Sequence, residues 1–187
     1  MAARFPKGWL ALAGLAAFPL LGQESVRQIE ARAAELKARG DAAGSLALWE
    51  KAAALDPQSA RIQDEIGFLL AVLQRPAEAL GHFERAVALD AHLAAAQYHL
   101  GVAYWLQQDP ARAIPHLQSA AALAPREFDY RFHFGHALNE TGQYATAVAE
   151  FEAATAIRPA HAEAWNQLGL ARQHSGDTAG ALAAYRR

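Results

Sequence analysis

Residues 94–127 read AAAQYHLGVAYWLQQDPARAIPHLQSAAALAPRE, two alanine-rich apolar runs divided at Asp109-Pro110 and closed by Pro125. The same arrangement returns every 34 residues. Gly101 aligns with Gly67, Gly135 and Gly169, and with Ala33 one unit earlier. Twelve positions later the column reads Ser45, Ala79, Ala113, Ala147 and Ala181, and four further on Trp49, Phe83, Leu117, Phe151 and Tyr185. A fourth column holds Ala52, Ala86, Ala120 and Ala154, and a last one Pro57, Ala91, Pro125 and Pro159. Self-similarity at a fixed period of this length marks a repeat protein.

Each column has a physical reason. Gly or Ala at the eighth position of a unit and Ala at the twentieth leave no bulk where the two helices of a hairpin touch, so their backbones come close. The large apolar residue at position 24 and the Ala at 27 are then expected to dock on the next unit. Short breaks at Arg39-Gly40-Asp41, Arg75-Pro76, Asp109-Pro110, Thr141-Gly142-Gln143 and Gly176-Asp177 separate the helices. Asp41, Asp109 and Asp177 carry the side-chain oxygen that an N-cap needs, and Pro76 and Pro110 suit a first helical turn. Leu55-Asp56-Pro57 and its counterparts stop each second helix, because a residue before proline is pushed out of the α conformation. The pattern predicts an all-α chain of about ten helices in antiparallel pairs, each pair burying its apolar face on its neighbours.

Composition agrees. Of 187 residues 48 are alanine, and β-branched residues are scarce, which suits close-packed helices and not a sandwich, a barrel or a doubly wound sheet. The absence of cysteine excludes a disulfide framework, a thiolate zinc site and a cysteine nucleophile. A net charge of −2, with the signs mixed along the chain, offers no basic field for a phosphate backbone, so nucleic acid is not an expected partner.

The columns resemble the tetratricopeptide repeat: Leu100-Gly101-Tyr104 followed by Ala113, and Trp165-Leu168-Gly169, carry the likeness most clearly. Units at 26–59, 60–93, 94–127 and 128–161, with a partial fifth at 162–187, cover nearly all of residues 23–187. Departures are local: Ala91 stands for the terminal proline, Leu36 and Leu70 for the aromatic, and Ala33 for the first glycine. The resemblance implies a right-handed α-solenoid whose first helices line a groove that takes a peptide or helix. Carried over position by position, the groove residues are Arg61, Asp64 and Phe68 in the second unit and Tyr98, Val102 and Trp105 in the third. Phe132, His136 and Asn139 follow in the fourth, and Asn166 in the fifth; the same positions also hold Val72, Leu106 and Glu140. This makes an aromatic centre for burial with polar residues at its rim. The alternative is that Phe68, Tyr98, Trp105 and Phe132 pack between repeats. The Lys/Arg and Asn arrangement of the family's carboxylate-clamp members is not reproduced in adjacent units, so a C-terminal carboxylate ligand is not expected.

Residues 1–22 read differently. Arg4 and Lys7 precede an uncharged apolar run from Trp9 to Leu21, and small Gly22 precedes polar Gln23-Glu24-Ser25. This is the layout of a secretory signal peptide. The run is short of the roughly 20 residues of a membrane span. Export to a periplasm or outside the cell is the expectation, and an uncleaved membrane anchor at residues 9–21 the alternative. At the other end Leu182 and Tyr185 lie on an edge that lacks a polar capping helix, which points to a fragment of a longer array or to self-association there.

No P-loop or dinucleotide fingerprint occurs, and none of the five serines sits in a nucleophile elbow. His133 and His136 are three apart on one helix, and His99 shares the slot of His133, but no third ligand converges with them. His82 and His116 fall on second helices. The expected protein is an interaction scaffold or adaptor with no catalysis of its own, no cofactor and no metal. The alternative is an accessory region of a larger enzyme or envelope assembly.

Overall fold

Helix boundaries fall where the breaks predict them. A computed structural model describes residues 24–187, and the expected signal segment lies outside these. The described chain forms ten α-helices: α1 (Val26–Ala38), α2 (Ala42–Leu55), α3 (Ala60–Val72), α4 (Pro76–Leu89), α5 (Ala94–Leu106), α6 (Pro110–Leu123), α7 (Phe128–Glu140), α8 (Tyr144–Ile157), α9 (Ala162–His174) and α10 (Thr178–Tyr185). None of them is long and apolar enough to cross a membrane.

The predicted caps form. The amides of Gly44, Arg112 and Gly180 donate to Asp41, Asp109 and Asp177 at 2.8, 3.1 and 2.8 Å. Pro76 and Pro110 open α4 and α6. Unit two lacks the terminal proline, yet α4 still ends at Leu89, because the Asp90 carboxylate accepts the His92 amide at 2.9 Å and holds the turn.

A column not read from the sequence closes every first helix. Gly40, Gln74, Gln108, Gly142 and Gly176, the fifteenth residue of each unit, all have positive φ, between 60° and 91°. The next amide reaches back to the first helix: Asp41 to Leu36, Arg75 to Leu70, Asp109 to Tyr104, Gln143 to Leu138 and Asp177 to Arg172, at 2.8–3.0 Å. This is the Schellman closure. Gln74 and Gln108 hold it without glycine, at a strain of about 1–2 kcal/mol each.

Within a hairpin the large residue at position 24 sits over the small one at position 8. A Cβ added to Gly67 would lie 2.6 Å from Phe83 Cε1, and one on Gly101 would lie 2.7 Å from Leu117 Cγ. The same holds for Gly135 under Phe151. This corrects the expectation that position 24 docks chiefly on the next unit. The missing Cβ leaves room for a large side chain, and filling it closes the hairpin on itself. Phe83 also reaches forward to His99, 5.3 Å between ring centres.

The helices form successive pairs stacked into an α-solenoid. First helices of consecutive units touch, α3 on α5, α5 on α7 and α7 on α9, whereas among the described residues no second helix meets another. The first helices therefore line the inside of the curve. At the N-terminal edge the positions that hold buried Ile62, Ile66 and Leu69 in α3 carry exposed Gln28, Arg32 and Glu35 in α1. At the C-terminal edge Leu182 and Tyr185 are 51% and 43% exposed, while their counterparts Leu46 and Phe151 are buried.

Polar rungs join the two helices of the middle hairpins. His82 Nδ1 donates to Gln63 Oε1 at 2.9 Å, and His116 Nδ1 to Gln97 Oε1 at 2.7 Å. Arg131 Nη1 donates to Glu150 at 2.7 Å in the same slots. Burial pushes the pKa of both histidines below the ordinary value, aided at His82 by nearby Arg85. The folded chain then resists protons that the unfolded chain accepts. The stability tied to neutral His82 and His116 is whole above about pH 6.5 and is lost as pH falls through their lowered folded values. Urea midpoints should drop from pH 7.5 to 5.5, and less so in a His82→Gln, His116→Gln variant. Equal drops would remove these two rungs from the account.

Candidate functional site

The inner face is built from the same slots of α3, α5 and α7, and its side chains are tied together at a spacing of 35 residues. Asp64 accepts from His99 Nδ1 at 2.8 Å, Tyr98 Oη lies 3.2 Å from His133 Nδ1, and Trp105 Nε1 donates to Glu140 Oε2 at 2.6 Å. In each case a residue bonds to the slot one later in the following unit. Stacking units with a twist displaces each first helix along its neighbour, so the facing residue is one position beyond the strict repeat.

His133 Nδ1 also lies 2.8 Å from the Asp129 carbonyl. A carbonyl only accepts, so Nδ1 carries the hydrogen and Tyr98 Oη receives the second, longer bond. Burial pushes the Tyr98 pKa up to about 12, so its phenol stays neutral. The Tyr98 ring stacks on Tyr130, 4.6 Å between centres. His136 lies between Trp105 and Phe132, at 5.0 and 6.2 Å. Together these rings make a continuous aromatic and imidazole floor across units three and four, which Phe68 of unit two joins through His99, 5.6 Å between centres.

The residues expected to line the groove divide into three groups. Asp64 and Phe132 are buried, at 6% and 9% exposure, and hold neighbouring units together more than they face outward. Phe68, Tyr98, Val102, Trp105, His136 and Asn139 are half-buried on the inner face. Arg61 and Asn166 are exposed; Arg61 pairs with Glu30. Lys37 sits 4.2 Å over the Phe68 ring and donates to Glu65 at 2.7 Å. Two buried atoms on α7, His136 Nδ1 and Asn139 Oδ1, have no hydrogen-bond partner among the described residues.

Sequence reasoning left out one contributor to this face, Tyr130; the same repeat positions also supply Val72, Leu106 and Glu140. Val72 and Leu106 end α3 and α5 and are 50% and 74% exposed, the most open apolar side chains of the inner face. Glu140 orients the Trp105 indole, and Tyr130 stacks on Tyr98. The recurrent 35-residue offset is what joins Glu140 to Trp105. Beside Leu106 a cleft of about 490 Å³ opens between α5, α6 and α7, lined by Trp105, Leu106, Gln108, Pro110, Glu140 and Thr141.

No cluster of three or more metal-ligating side chains occurs among the described residues. His99 is committed to Asp64 and His133 to a carbonyl.

Comparison with known proteins follows this geometry. Residues 58–126 match the family model described as a tetratricopeptide repeat, and residues 135–176 match a second, described as a TPR repeat. No curated protein sequence matches the chain. Among solved structures, YrrB, described as a TPR protein with an unusual peptide-binding site, is similar at 27% identity. The alignment covers 86% of this chain and 82% of that one, with a TM-score of 0.73. A crystal structure of MamA is similar at 25% identity over 82% of this chain and 90% of that one, TM-score 0.72. The MamA RS-1 ArsTM double mutant, at 18% identity over 88% and 92% with a TM-score of 0.75, shares the fold. Five helix hairpins in the 34-residue register, the packing of a large side chain over glycine in four of them and the two family matches lead to one conclusion: the chain belongs to the tetratricopeptide repeat family.

Proposed function

We propose that this chain is an exported interaction scaffold whose inner face binds a peptide or helix of a protein partner, and that it performs no catalysis of its own. The observation that carries the reading is the pairing of open apolar side chains with fixed polar ones on a single face. Val72 and Leu106 stand exposed at the ends of α3 and α5, and the half-buried Trp105 is fixed by Glu140 of the neighbouring helix. Apolar side chains of this size left open to water gain by being covered. Polar groups fixed beside them, such as Glu140 bonded to the Trp105 indole, set the register of a bound segment. The similarity to YrrB, a peptide-binding TPR protein by its description, supports the same reading.

Export rests on Arg4, Lys7 and the apolar run from Trp9 to Leu21. Without Met1 to Gly22, which hold two cations and no acid, the 17 basic residues become 15 against 19 acidic ones, a net charge of −4. A mature N-terminus at Gln23 in the exported fraction fits this reading; a full-length chain retained in the membrane contradicts it.

The binding face is tested by charge. Val72→Glu with Leu106→Glu should abolish capture of the partner from the exported fraction while leaving helical content unchanged, since both side chains are already in water. Undiminished capture would move the site off the inner face.

A further inference from the structure

The cleft beside Leu106 sets a carboxylate against apolar walls. Its walls are the Trp105 ring, Leu106 and Pro110, and its polar lining is Gln108, Thr141 and Glu140. Glu140 spends one oxygen on the Trp105 indole. Among the described residues its other oxygen, Oε1, accepts no hydrogen bond; His136 Nδ1 lies 3.7 Å away, beyond bonding distance. Among the described residues no lysine or arginine reaches it.

Helix polarity is mixed here. The carbonyl ends of α5 and α7 close on the cleft, with no basic residue in the last turn of either, and the N-terminal end of α6 enters it at Pro110. By contrast α1 and α9 carry Lys37, and Arg172 with His174, in theirs. A helix C-terminus favours a cation within its last turn. The corresponding pairs between other units are Lys37 with Val72, Ala71 with Leu106 and Asn139 with His174, none of which supplies a carboxylate.

We propose that this cleft is the specificity pocket of the inner face, and that it takes a lysine or arginine side chain of the bound segment. The inference rests on the inner face being the binding surface. The alkyl stem of such a side chain lies along Trp105, Leu106 and Pro110, and its charged tip reaches Glu140 Oε1. The indole face adds a cation–π attraction. A purely apolar side chain would bury Glu140 Oε1 without a partner, which is costly for a carboxylate. An acidic one would meet it directly.

The probes are four pools of short labelled peptides, random except for a central lysine, arginine, norleucine or glutamate. Norleucine keeps the length of the lysine stem without its charge. The full chain should bind the lysine and arginine pools about tenfold more tightly than the norleucine pool. In Glu140→Gln, whose amide oxygen still accepts the Trp105 indole, that gap should close to within about twofold. Norleucine binding as tightly as lysine, a preference for glutamate, or a gap that survives Glu140→Gln overturns the proposal. Equal binding of all four pools would leave the inner face as the binding surface and remove the basic anchor; no binding by any pool would remove both.

Discussion

Replacing Phe151 by alanine should destabilise the array by about 3–5 kcal/mol, the range for emptying a buried aromatic site. Phe151 is completely buried, lies against Gly135 and meets the Phe132 ring at 5.9 Å. Neither neighbour can collapse into the space. The glycine has no side chain to extend, and Phe132 is held by Phe128 and His136. For a chain of this size the melting temperature should fall by about 10 °C. Because each unit is stabilised by its neighbours, the loss should spread unevenly. Hydrogen exchange should show α7 to α10 losing protection before α1 to α4. Tyr185→Ala, in the same column but 43% exposed, should cost much less. A small, uniform loss from Phe151→Ala would mean that position 24 is not what closes each hairpin.

Trp105→Ala is expected to weaken partner binding by about 1–3 kcal/mol, roughly 5- to 150-fold, with helical content unchanged. The ring is half-buried, lies across the face between α5 and α7, and is fixed by the bond from its Nε1 to Glu140. Held in this way it loses little freedom on binding and offers a large apolar surface, which is why aromatic residues dominate binding hot spots. Isothermal titration with the captured partner reads the loss, and circular dichroism of the same sample reads the fold. If helicity falls together with affinity, Trp105 belongs to the packing between repeats, and the inner face loses its anchor.

The fold was legible because it is local. Glycine at position 8, the aromatic at 24 and the aspartates and prolines at the breaks act within a single unit, so their columns survive in the one-dimensional repeat. The left-handed closure at position 15 escaped notice because Gln74 and Gln108 fill it in two units and hide the glycine column. The direction in which position 24 packs was misread for another reason. A column shows that a large residue is required there, not which of two adjacent helices it covers.

The site was legible in part. Position-by-position transfer placed Phe68, Tyr98, Val102, Trp105, His136 and Asn139 on the inner face, where the structure has them half-buried. It could not separate Asp64 and Phe132, which the stacking of units buries, from Arg61 and Asn166, which stay in water. Burial there depends on the twist between units, and no single repeat encodes that twist. The same twist produces the 35-residue partnerships of Asp64 with His99, Tyr98 with His133 and Trp105 with Glu140. Val72 and Leu106 matter through exposure, which three-dimensional stacking decides.

The central claim is that the first helices form the surface through which this chain binds protein. Site-specific photo-crosslinking tests it most directly. A benzophenone amino acid is placed at Leu106 on the inner face in one sample, and at Ala122, an exposed residue of second helix α6, in another. Irradiation in the exported fraction, followed by mass spectrometry of the linked peptides, shows which face the partner covers. The account predicts a discrete partner joined at Leu106, displaced by unlabelled protein and missing from the Ala122 sample. Linkage at Ala122 with none at Leu106 would contradict it and place binding on the second helices.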